Sequence, residues 1–247
     1  MTSWEGLHEL DLARRLEVPR VVALDSTPST MDMAHMSSER GVTRGLLVVA
    51  DAQEAGRGRM GRSWSSPPGA GVWCTMVEKP RDRDALGVLS LRVGLLLAES
   101  LSELANADAQ VKWPNDVMLD RKKLAGILTE ASWIGATLNY VAIGVGVNVH
   151  PPADVPEAAG LPGIDRLSVM SRVVRAIRAA AAARGHLTED ELARYRARDI
   201  LLGRRIRLPA DGLVRGISAD GALLVESPAD GVVSSHRSGT IVLAEDL

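Results

Sequence analysis

Short apolar runs separated by turn residues organise the first 150 residues of the chain. The segment from Gly45 to Gln53 (GLLVVADAQ) and the segment that begins at Gly71 (GVWCTMVE) are short and rich in β-branched residues, which predicts strands. VKWPNDVMLDRKKLAGILTEAS predicts two strands joined by a turn at Asp120–Arg121, and LNYVAIGVGVNVH predicts one more. Between them, GRGRMGRSWSSPPGAG predicts a long irregular loop, because its prolines and glycines exclude a regular element.

Helical spacing and helix-ending residues predict the other elements of the main body. Helices are expected within the first 20 residues, in MDMAHMSSERG up to Gly41, from Asp82 or Asp84 to about Ala105, from about Asp165 to Arg184, and after the capping box of Thr188 and Glu191. After about Asp199 short β-like segments alternate with Asp-Gly turns, which indicate hairpins. We therefore predict an α/β body over residues 1–198 and a small β-barrel over residues 199–247 that docks on it.

Composition limits the class of protein. The net charge is −2, so no global positive field attracts nucleic acid or an acidic membrane. Glu5, Glu9 and Asp11 exclude a secretory signal, and no apolar run approaches the length of a membrane span, which predicts a cytoplasmic protein. The single cysteine, Cys74, lies in an apolar strand and is expected to be a buried, inert thiol.

Lysine is rare in this chain. Only four of the 29 basic residues are lysines, at positions 79, 112, 122 and 123. Lysine carries a compact point charge on a flexible stem, a property that arginine lacks. Lys112 and Lys123 therefore become candidates for a specific charged contact.

The stretch GRGRMG, Gly56 to Gly61, has the letters of the dinucleotide-binding fingerprint. That fingerprint needs a helix after its third glycine, and RSWSSPPGAG forbids one. A nucleic-acid site needs a wide basic surface with aromatic platforms, and Trp64 is the only aromatic residue in the loop. A solvated loop remains one alternative. The other is a loop whose backbone N–H groups and arginines hold a phosphate.

Three more motifs carry polar candidates. In VKWPNDV, Lys112 suits a phosphate and Asp116 a magnesium ion or the lysine itself, although a buried ion pair or a strand end at Pro114 is the alternative. In RKKLAGILTE, Gly126 marks a close approach. In GVGVNV, Asn148 needs partners, and a structural role for it stays equally open.

In order and spacing, PSTMD, GRGRMGRSW after Gln53, VKWPNDV, KKLAGIL and GVGVNV resemble the biotin–protein ligase family. The resemblance covers about residues 20 to 150 and, more loosely, the C-terminal β segments. It implies an α+β fold, with a class II synthetase-like mixed sheet flanked by helices and a small SH3-like β-barrel. It also implies two reactions: biotin and ATP with Mg²⁺ give biotinoyl-5′-AMP, and a lysine of a biotin carboxyl carrier domain then displaces AMP.

The resemblance also implies roles for particular residues. The biotin-binding set is Ser29, Thr30, Met31, Gln53, Arg57, Gly58, Arg59, Lys123 and Gly126. The set for ATP and the adenylate is Gly56, Arg57, Arg59, Gly61, Arg62, Trp64, Lys112, Asn115 and Asn148. Lys112, Arg57 and Arg59 are the catalytic candidates, and Asp116 is the candidate metal-linked carboxylate. Met31 replaces the asparagine of many members, and Ser26–Thr27 competes with Ser29–Thr30 for the biotin contact.

Two other functions compete with this hypothesis. A lipoate or octanoate ligase shares the fold, but its apolar substrate gives Gln53 and Ser29–Thr30 no purpose. A biotin-responsive DNA-binding regulator needs a winged helix-turn-helix, and the roughly 20 residues before the first motif are too few for one. We therefore expect a monofunctional ligase, monomeric or homodimeric, that binds no nucleic acid. The sequence assigns no base for the second step.

Overall fold

The computed structural model describes residues 3–39, 41, 44–80, 82–151 and 155–244. The elements follow one another along the chain as β1 (Ser3–Trp4), β2 (Leu7–His8), α1 (Glu9–Leu16), β3 (Arg20–Thr27), α2 (Thr30–Glu39), β4 (Leu46–Gln53), a 3-10 turn (Arg59–Gly61), β5 (Gly71–Glu78), α3 (Asp84–Gly87), α4 (Leu89–Ala105), β6 (Gln110–Lys112), β7 (Asp116–Leu119), β8 (Lys122–Ile134), β9 (Thr137–Asn148), α5 (Arg166–Ala182), α6 (Glu189–Arg198), β10 (Arg205–Leu208), β11 (Gly212–Ile217), β12 (Leu223–Glu226), β13 (Val233–His236) and β14 (Val242–Leu243).

Seven strands form the main sheet in the order β3-β4-β5-β9-β8-β7-β6. The pair β3 and β4 is parallel and the other neighbours are antiparallel, so the sheet is mixed, as the resemblance implied. The predicted turn at Asp120–Arg121 is confirmed, with φ of 49° and 63°. Positive φ at both central residues is what a two-residue hairpin turn of type I′ requires. The expectation of one strand before this turn is wrong, because that part of the chain forms two strands, β6 and β7, on either side of Pro114.

Alternation along β4 divides the core between the two faces of the sheet. Leu47 and Val49 belong to the larger apolar cluster, which α4 and α5 cover. Leu46 and Val48 belong to a smaller cluster under α2. Successive side chains of a strand point to opposite faces, so one apolar run serves both clusters. No described helix combines the length and the apolar character that a membrane crossing needs.

Two helix predictions need correction. The helix expected from Asp82 or Asp84 to Ala105 is interrupted at Val88, whose φ of −111° and ψ of 3° are not helical. Gly87, directly before it, has a low helix propensity, and Asp82 caps the short α3 by accepting from Ala85 N at 2.8 Å. The first 20 residues hold a small hairpin, β1 and β2, as well as the expected short helix.

The other helix predictions are confirmed, within the described residues. Helix α2 is where it was expected, and Gly41 after it has a φ of 91°. Asp165 caps the first turn of α5 through Ser168 N. Thr188 and Glu191 form the capping box of α6.

The C-terminal segment forms a second, five-stranded antiparallel sheet in the order β13-β12-β11-β10-β14, the SH3-like domain. It docks beside the main sheet, where Trp113 Nε1 donates to Gly221 O at 3.0 Å. A Cβ atom at Gly221 would lie 2.7 Å from Leu91 Cδ1, so the turn between β11 and β12 packs closely on α4. The boundary between residues 198 and 199 stays a prediction.

Asp199 lies directly after α6, where the chain turns towards the C-terminal sheet. Its Oδ1 accepts a hydrogen bond from Leu201 N at 2.9 Å, and its Oδ2 is buried. Burial raises the pKa of this carboxyl from 3.8 to about 6, and the bond from Leu201 offsets only part of the effect. The ionised form is therefore penalised in the folded protein.

Asp199→Asn is expected to raise the free energy of unfolding at pH 8 by at most about 3 kcal/mol, since one pKa unit corresponds to about 1.4 kcal/mol. Asparagine cannot ionise and can still accept from Leu201 N. The penalty is absent below the unfolded pKa of 3.8 and complete above the folded pKa of about 6. Urea unfolding should therefore give a gain about half as large at pH 5 as at pH 8. An equal gain at both pH values would contradict the assignment.

Candidate active site

A cavity of about 170 Å³ opens between the main sheet, the glycine–arginine loop (residues 56–62) and the C-terminal sheet. Most of the residues predicted from the sequence line it, namely Ser29, Thr30, Met31, Gln53, Arg57, Gly58, Arg59, Arg62, Trp64, Lys112, Asn115, Asp116, Lys123 and Gly126. The fold therefore gathers side chains that lie far apart in the sequence into one site.

One end of the cavity is lined by neutral hydrogen-bonding groups. Gln53 Oε1 accepts from Thr30 N at 2.9 Å and from Thr30 Oγ1 at 3.1 Å, and Gln53 Nε2 donates to Ser66 Oγ at 2.8 Å. Thr30 Oγ1 and Thr75 Oγ1 are 2.9 Å apart. This network fixes the orientation of the Gln53 amide, with its oxygen towards Thr30 and its nitrogen towards Ser66.

The structure also separates the two competing Ser-Thr pairs. Ser29 and Thr30, at the start of α2, line the cavity and are almost fully buried. Ser26, in contrast, donates its hydroxyl to the exposed Glu54. Ser29–Thr30 is therefore the pair that a ligand in this cavity can reach.

Glycines form the floor of the cavity. Gly126 of β8 is the direct partner of Gly146 of β9, and the indole of Trp64 lies on both. A Cβ atom would lie 2.9 Å from this indole at Gly126 and 2.6 Å from it at Gly146. The close approach predicted at Gly126 is confirmed, and the same holds for Gly144, where a Cβ would lie 2.9 Å from Met31 Cε.

Two lysines lie at the end of the cavity opposite the neutral groups. Lys123 Nζ is 2.7 Å from Asp116 Oδ1 and 5.0 Å from the centre of the Trp64 ring. Lys112 is the cross-strand partner of Asp116 between β6 and β7. One carboxylate therefore lies beside two lysines, and this end of the cavity is positively charged.

Arg59 adds a third cation to this end. Its Nη1 lies 3.5 Å from Asn115 Oδ1, and the Asn115 amide is held in turn by Ile127 O at 2.8 Å. Burial lowers the pKa of the Arg59 guanidinium, Asp116 raises it and Arg62 lowers it. Arginine stays protonated in proteins, so Arg59 is a partly desolvated cation, which strengthens its attraction for an anion.

The side chain of Arg57, a predicted catalytic residue, points elsewhere. Its Nη2 lies 2.7 Å from Asp32 Oδ1 and 3.5 Å from Glu130 Oε1. These carboxylates already neutralise the guanidinium in this structure. A phosphate contact by Arg57 therefore stays a prediction.

The residues around Asp116 fit only one kind of magnesium site. Among the described residues, no group of three or more His, Cys, Asp or Glu side chains could hold a metal ion. Asp116 itself is paired with Lys123. Mg²⁺ often binds through one or two carboxylates together with substrate phosphates. The site therefore fits a magnesium ion that arrives with a polyphosphate, and does not fit one held by side chains alone.

Three predicted residues do not line the cavity. Asn148 is 5% exposed, and its Nδ2 donates to Lys123 O at 3.2 Å, so its amide supports the backbone of β8. Gly56 makes room for Trp64 O, which a Cβ would meet at 2.4 Å. Gly61 has a φ of 72° and provides the left-handed turn of the loop. The predicted contacts of these three residues with ATP or the adenylate stay predictions.

Sequence reasoning missed several lining residues, which are Met60, Ser63, Cys74, Thr75, Trp113, Pro114, Ile127, Leu128, Gly144, Val145, Gly146, Gly239, Thr240 and Ile241. Strand alternation could have found Gly144 and Gly146, since they share a face with Asn148. No local signal marks residues 239–241, which the second sheet brings to the site. Cys74 is buried, as predicted, and burial raises the pKa of its thiol to about 12, which disfavours the reactive thiolate.

Comparisons of the sequence and of the structure with known proteins all match protein ligases. Residues 23–148 match the biotin/lipoate A/B protein ligase family. The biotin--[acetyl-CoA-carboxylase] ligase of Mycobacterium tuberculosis is 36% identical, over 71% of this chain and 70% of that protein. The enzyme of the same name from Paracoccus denitrificans is 34% identical, over 76% of this chain and 87% of that protein. The biotin protein ligase from Aquifex aeolicus, solved in complex with biotin and ATP, is 26% identical, with a TM-score of 0.78 over 91% of this chain and 99% of that chain.

The bifunctional ligase/repressor BirA proteins are longer. The match covers 66% of the Escherichia coli protein and 42% of the Bacillus subtilis protein, so the chain spans about two thirds or less of their length. The family match extends over half of this chain and includes most of β3 and all of β4 to β9. The chain belongs to the biotin/lipoate A/B protein ligase family.

Proposed function

We propose that this chain is an ATP-dependent biotin–protein ligase, which forms biotinoyl-5′-AMP and transfers biotin to a lysine of a biotin carboxyl carrier domain. One observation carries the proposal. A single cavity joins a neutral hydrogen-bonding end to a cationic end across a floor of glycines. A ligand with a polar, uncharged head and a carboxylate tail, placed beside a nucleotide, matches this distribution of groups.

The neutral end suits the ureido ring of biotin. That ring is uncharged, and it needs both donors and acceptors in a site that water leaves. Thr30, Gln53 and Thr75 supply hydroxyl and amide groups that are already oriented by one another. A lipoyl or octanoyl chain has no polar head, so it would cover these groups and leave their remaining hydrogen-bonding capacity unused, which is costly.

The cationic end suits the first reaction. The biotin carboxylate attacks the α-phosphorus of ATP, a new O–P bond forms, and the bond to pyrophosphate breaks. A carboxylate is already ionised at pH 7, so this step needs no strong base. It needs cations that offset the growing charge on the phosphate oxygens, and Arg59, Lys112 and Lys123 lie at this end.

Trp64 offers a platform between the two ends. Its ring covers Gly126 and Gly146, while Lys123 lies over it. The resemblance implies that this tryptophan stacks on adenine, and a flat ring on a glycine floor supports that role.

In the first reaction, a magnesium ion bound to the triphosphate near Asp116 would screen the negative charge of the phosphates. In the second reaction a lysine amine attacks the acyl carbon, an amide forms and AMP leaves.

Biotin-dependent exchange of pyrophosphate into ATP tests the proposal directly. We expect exchange with biotin and none with lipoate or octanoate at equal concentration. Exchange with lipoate alone would assign the chain to the other branch of the family. Mass spectrometry of a purified carrier domain after incubation with biotin and ATP then tests transfer, as a mass increase lost when the acceptor lysine is replaced by arginine.

A separate experiment tests whether the chain is a DNA-binding regulator. An electrophoretic mobility assay with a biotin-operon operator should show no retardation that resists physiological salt, with or without biotin and ATP. Salt-resistant binding would overturn the expectation of a monofunctional ligase.

Gly146→Ala is expected to raise the KM for ATP about tenfold, because stacking of a base on an aromatic ring is worth about 1–3 kcal/mol. A Cβ here would lie 2.6 Å from two atoms of the Trp64 ring, so the indole must leave its place. The matched control is Gly94→Ala in α4, whose Cβ would lie 3.7 Å from Ile127 Cδ1, an ordinary contact. Steady-state kinetics compare the two; an unchanged KM in Gly146→Ala would argue against the platform.

A further inference from the structure

The first two arginines of the glycine–arginine loop, Arg57 and Arg59, have different surroundings. Arg57 Nη2 lies 2.7 Å from Asp32 Oδ1 in the first turn of α2, and 3.5 Å from Glu130 Oε1 on β8. Arg59, two residues later, lies beside Asn115 and feels the charge of Asp116. The Arg57 guanidinium therefore contacts carboxylates of α2 and β8, whereas the Arg59 guanidinium lies at the cationic end of the cavity.

Glu130 is itself held in place. Its second oxygen, Oε2, lies 2.9 Å from His35 Nε2, and His35 Nδ1 lies 2.8 Å from the hydroxyl of Tyr140. Tyr140 is 3% exposed and belongs to the smaller apolar cluster under α2. A chain of contacts therefore runs from the buried sheet through His35 and Glu130 to Arg57, and it fixes the position of the carboxylate that Arg57 meets.

We propose that Asp32 and Glu130 are positioning residues, which hold the glycine–arginine loop over the cavity through Arg57 and leave Arg59 as the loop arginine that meets phosphate. The proposal rests on the proposed ligase function for its kinetic consequences. The contacts of Arg57 with Asp32 and Glu130 hold the loop whether or not the chain is a ligase. Two carboxylates already neutralise Arg57, so its remaining attraction for a phosphate is small. The backbone on both sides of Arg57 closes the loop, with Trp64 N donating to Gly56 O at 2.8 Å and Gly58 N donating to Arg62 O at 2.7 Å.

Hydrogen exchange in the unliganded protein is the first test. Asp32→Asn and Glu130→Gln should each speed exchange at the amides of Gly58 and Trp64 about two- to fivefold, because partly exposed ion pairs contribute modestly. Arg57→Gln, which loses both partners, should give a larger increase, and Arg57→Lys should restore part of the protection. Glu39→Gln, which removes a carboxylate from the exposed end of the same helix, is the control and should leave both amides unchanged.

Kinetics of the adenylate are the second test. After biotin and ATP have formed biotinoyl-5′-AMP on the enzyme, each of the two carboxylate variants should release it about two- to fivefold faster, with a KM for ATP within twofold of the parent. The double variant Asp32→Asn/Arg57→Gln should release it no faster than Arg57→Gln alone, since both changes remove the same contact.

Two results would overturn the proposal. One is a large rise in the KM for ATP in Arg57→Gln with no change in Asp32→Asn and Glu130→Gln, which would make Arg57 a phosphate ligand. The other is unchanged amide exchange in both carboxylate variants. A parent protein without biotin-dependent exchange would instead refute the ligase function, and the amide exchange would still decide whether Asp32 and Glu130 hold the loop.

Discussion

Replacing Arg59 by glutamine is expected to lower the rate of adenylate formation about 100- to 1000-fold while the protein stays folded. Loss of one preorganised group that stabilises charge in a transition state typically has this effect. Arg59 is the loop arginine that lies at the cationic end of the cavity, and its own contact with Asn115 is long, at 3.5 Å. Pre-steady-state measurement of pyrophosphate release, with biotin and ATP saturating, isolates this step.

The control for this measurement is Arg14→Gln. Arg14 is an arginine on α1 with a side chain 80% exposed, and it pairs only at 3.6 Å with Asp11. Its replacement should leave both the rate and the thermal unfolding temperature unchanged. A fall of less than about fivefold in Arg59→Gln would show that Lys112 and Lys123 carry the phosphate charge without it.

Gln53→Met is expected to weaken the binding of biotin about 100- to 1000-fold. Methionine has nearly the same length but no hydrogen-bonding amide, so the ureido ring loses the Gln53 amide and Thr30 N loses its side-chain acceptor. Thr30 Oγ1 keeps Thr75 Oγ1, and Ser66 Oγ keeps Trp64 O. Each buried polar group left without a partner costs about 1–3 kcal/mol. Isothermal titration with biotin in the absence of ATP measures the change directly and does not depend on catalysis.

Ser26→Ala serves as the control, since Ser26 bonds the exposed Glu54 outside the cavity. It should leave the dissociation constant of biotin within twofold. A loss in Ser26→Ala with none in Gln53→Met would mean that the pair Ser26–Thr27, and not the network around Gln53, receives the ureido ring. The titration therefore also checks which Ser-Thr pair is used.

Much of the main sheet could be predicted because local patterns determine it. The run 46–53 has the composition of a strand and forms β4, and the turn at Asp120–Arg121 fixes the register between β7 and β8. A bulge between Val117 and Met118 then shifts that register by one residue and brings Asp116 opposite Gly126, and the pairing of β8 with β9 brings Gly126 opposite Gly146. Motifs spaced along the chain therefore meet through strand pairing alone.

The rest of the site depends on contacts between distant elements. Thr75 reaches the cavity because β5 lies beside β9, and Arg57 finds Asp32 and Glu130 only when α2, the loop and β8 are assembled. No pattern around a surface arginine predicts which carboxylate it will meet. Asn148 is the opposite case. Its motif marked it as a candidate site residue, but its amide donates to Lys123 O within the protein.

The junction between the two sheets has a consequence for how the protein unfolds. Arg62 Nη2 donates to Thr240 Oγ1 at 3.0 Å, Trp113 Nε1 donates to Gly221 O at 3.0 Å, and residues 239–241 form part of the cavity wall. A small sheet of this size gains little stability from its own core. A ligand that fills a cavity shared by both sheets adds its binding free energy to both at once. The occupied protein should therefore melt as one cooperative unit, with the C-terminal sheet no longer able to open by itself.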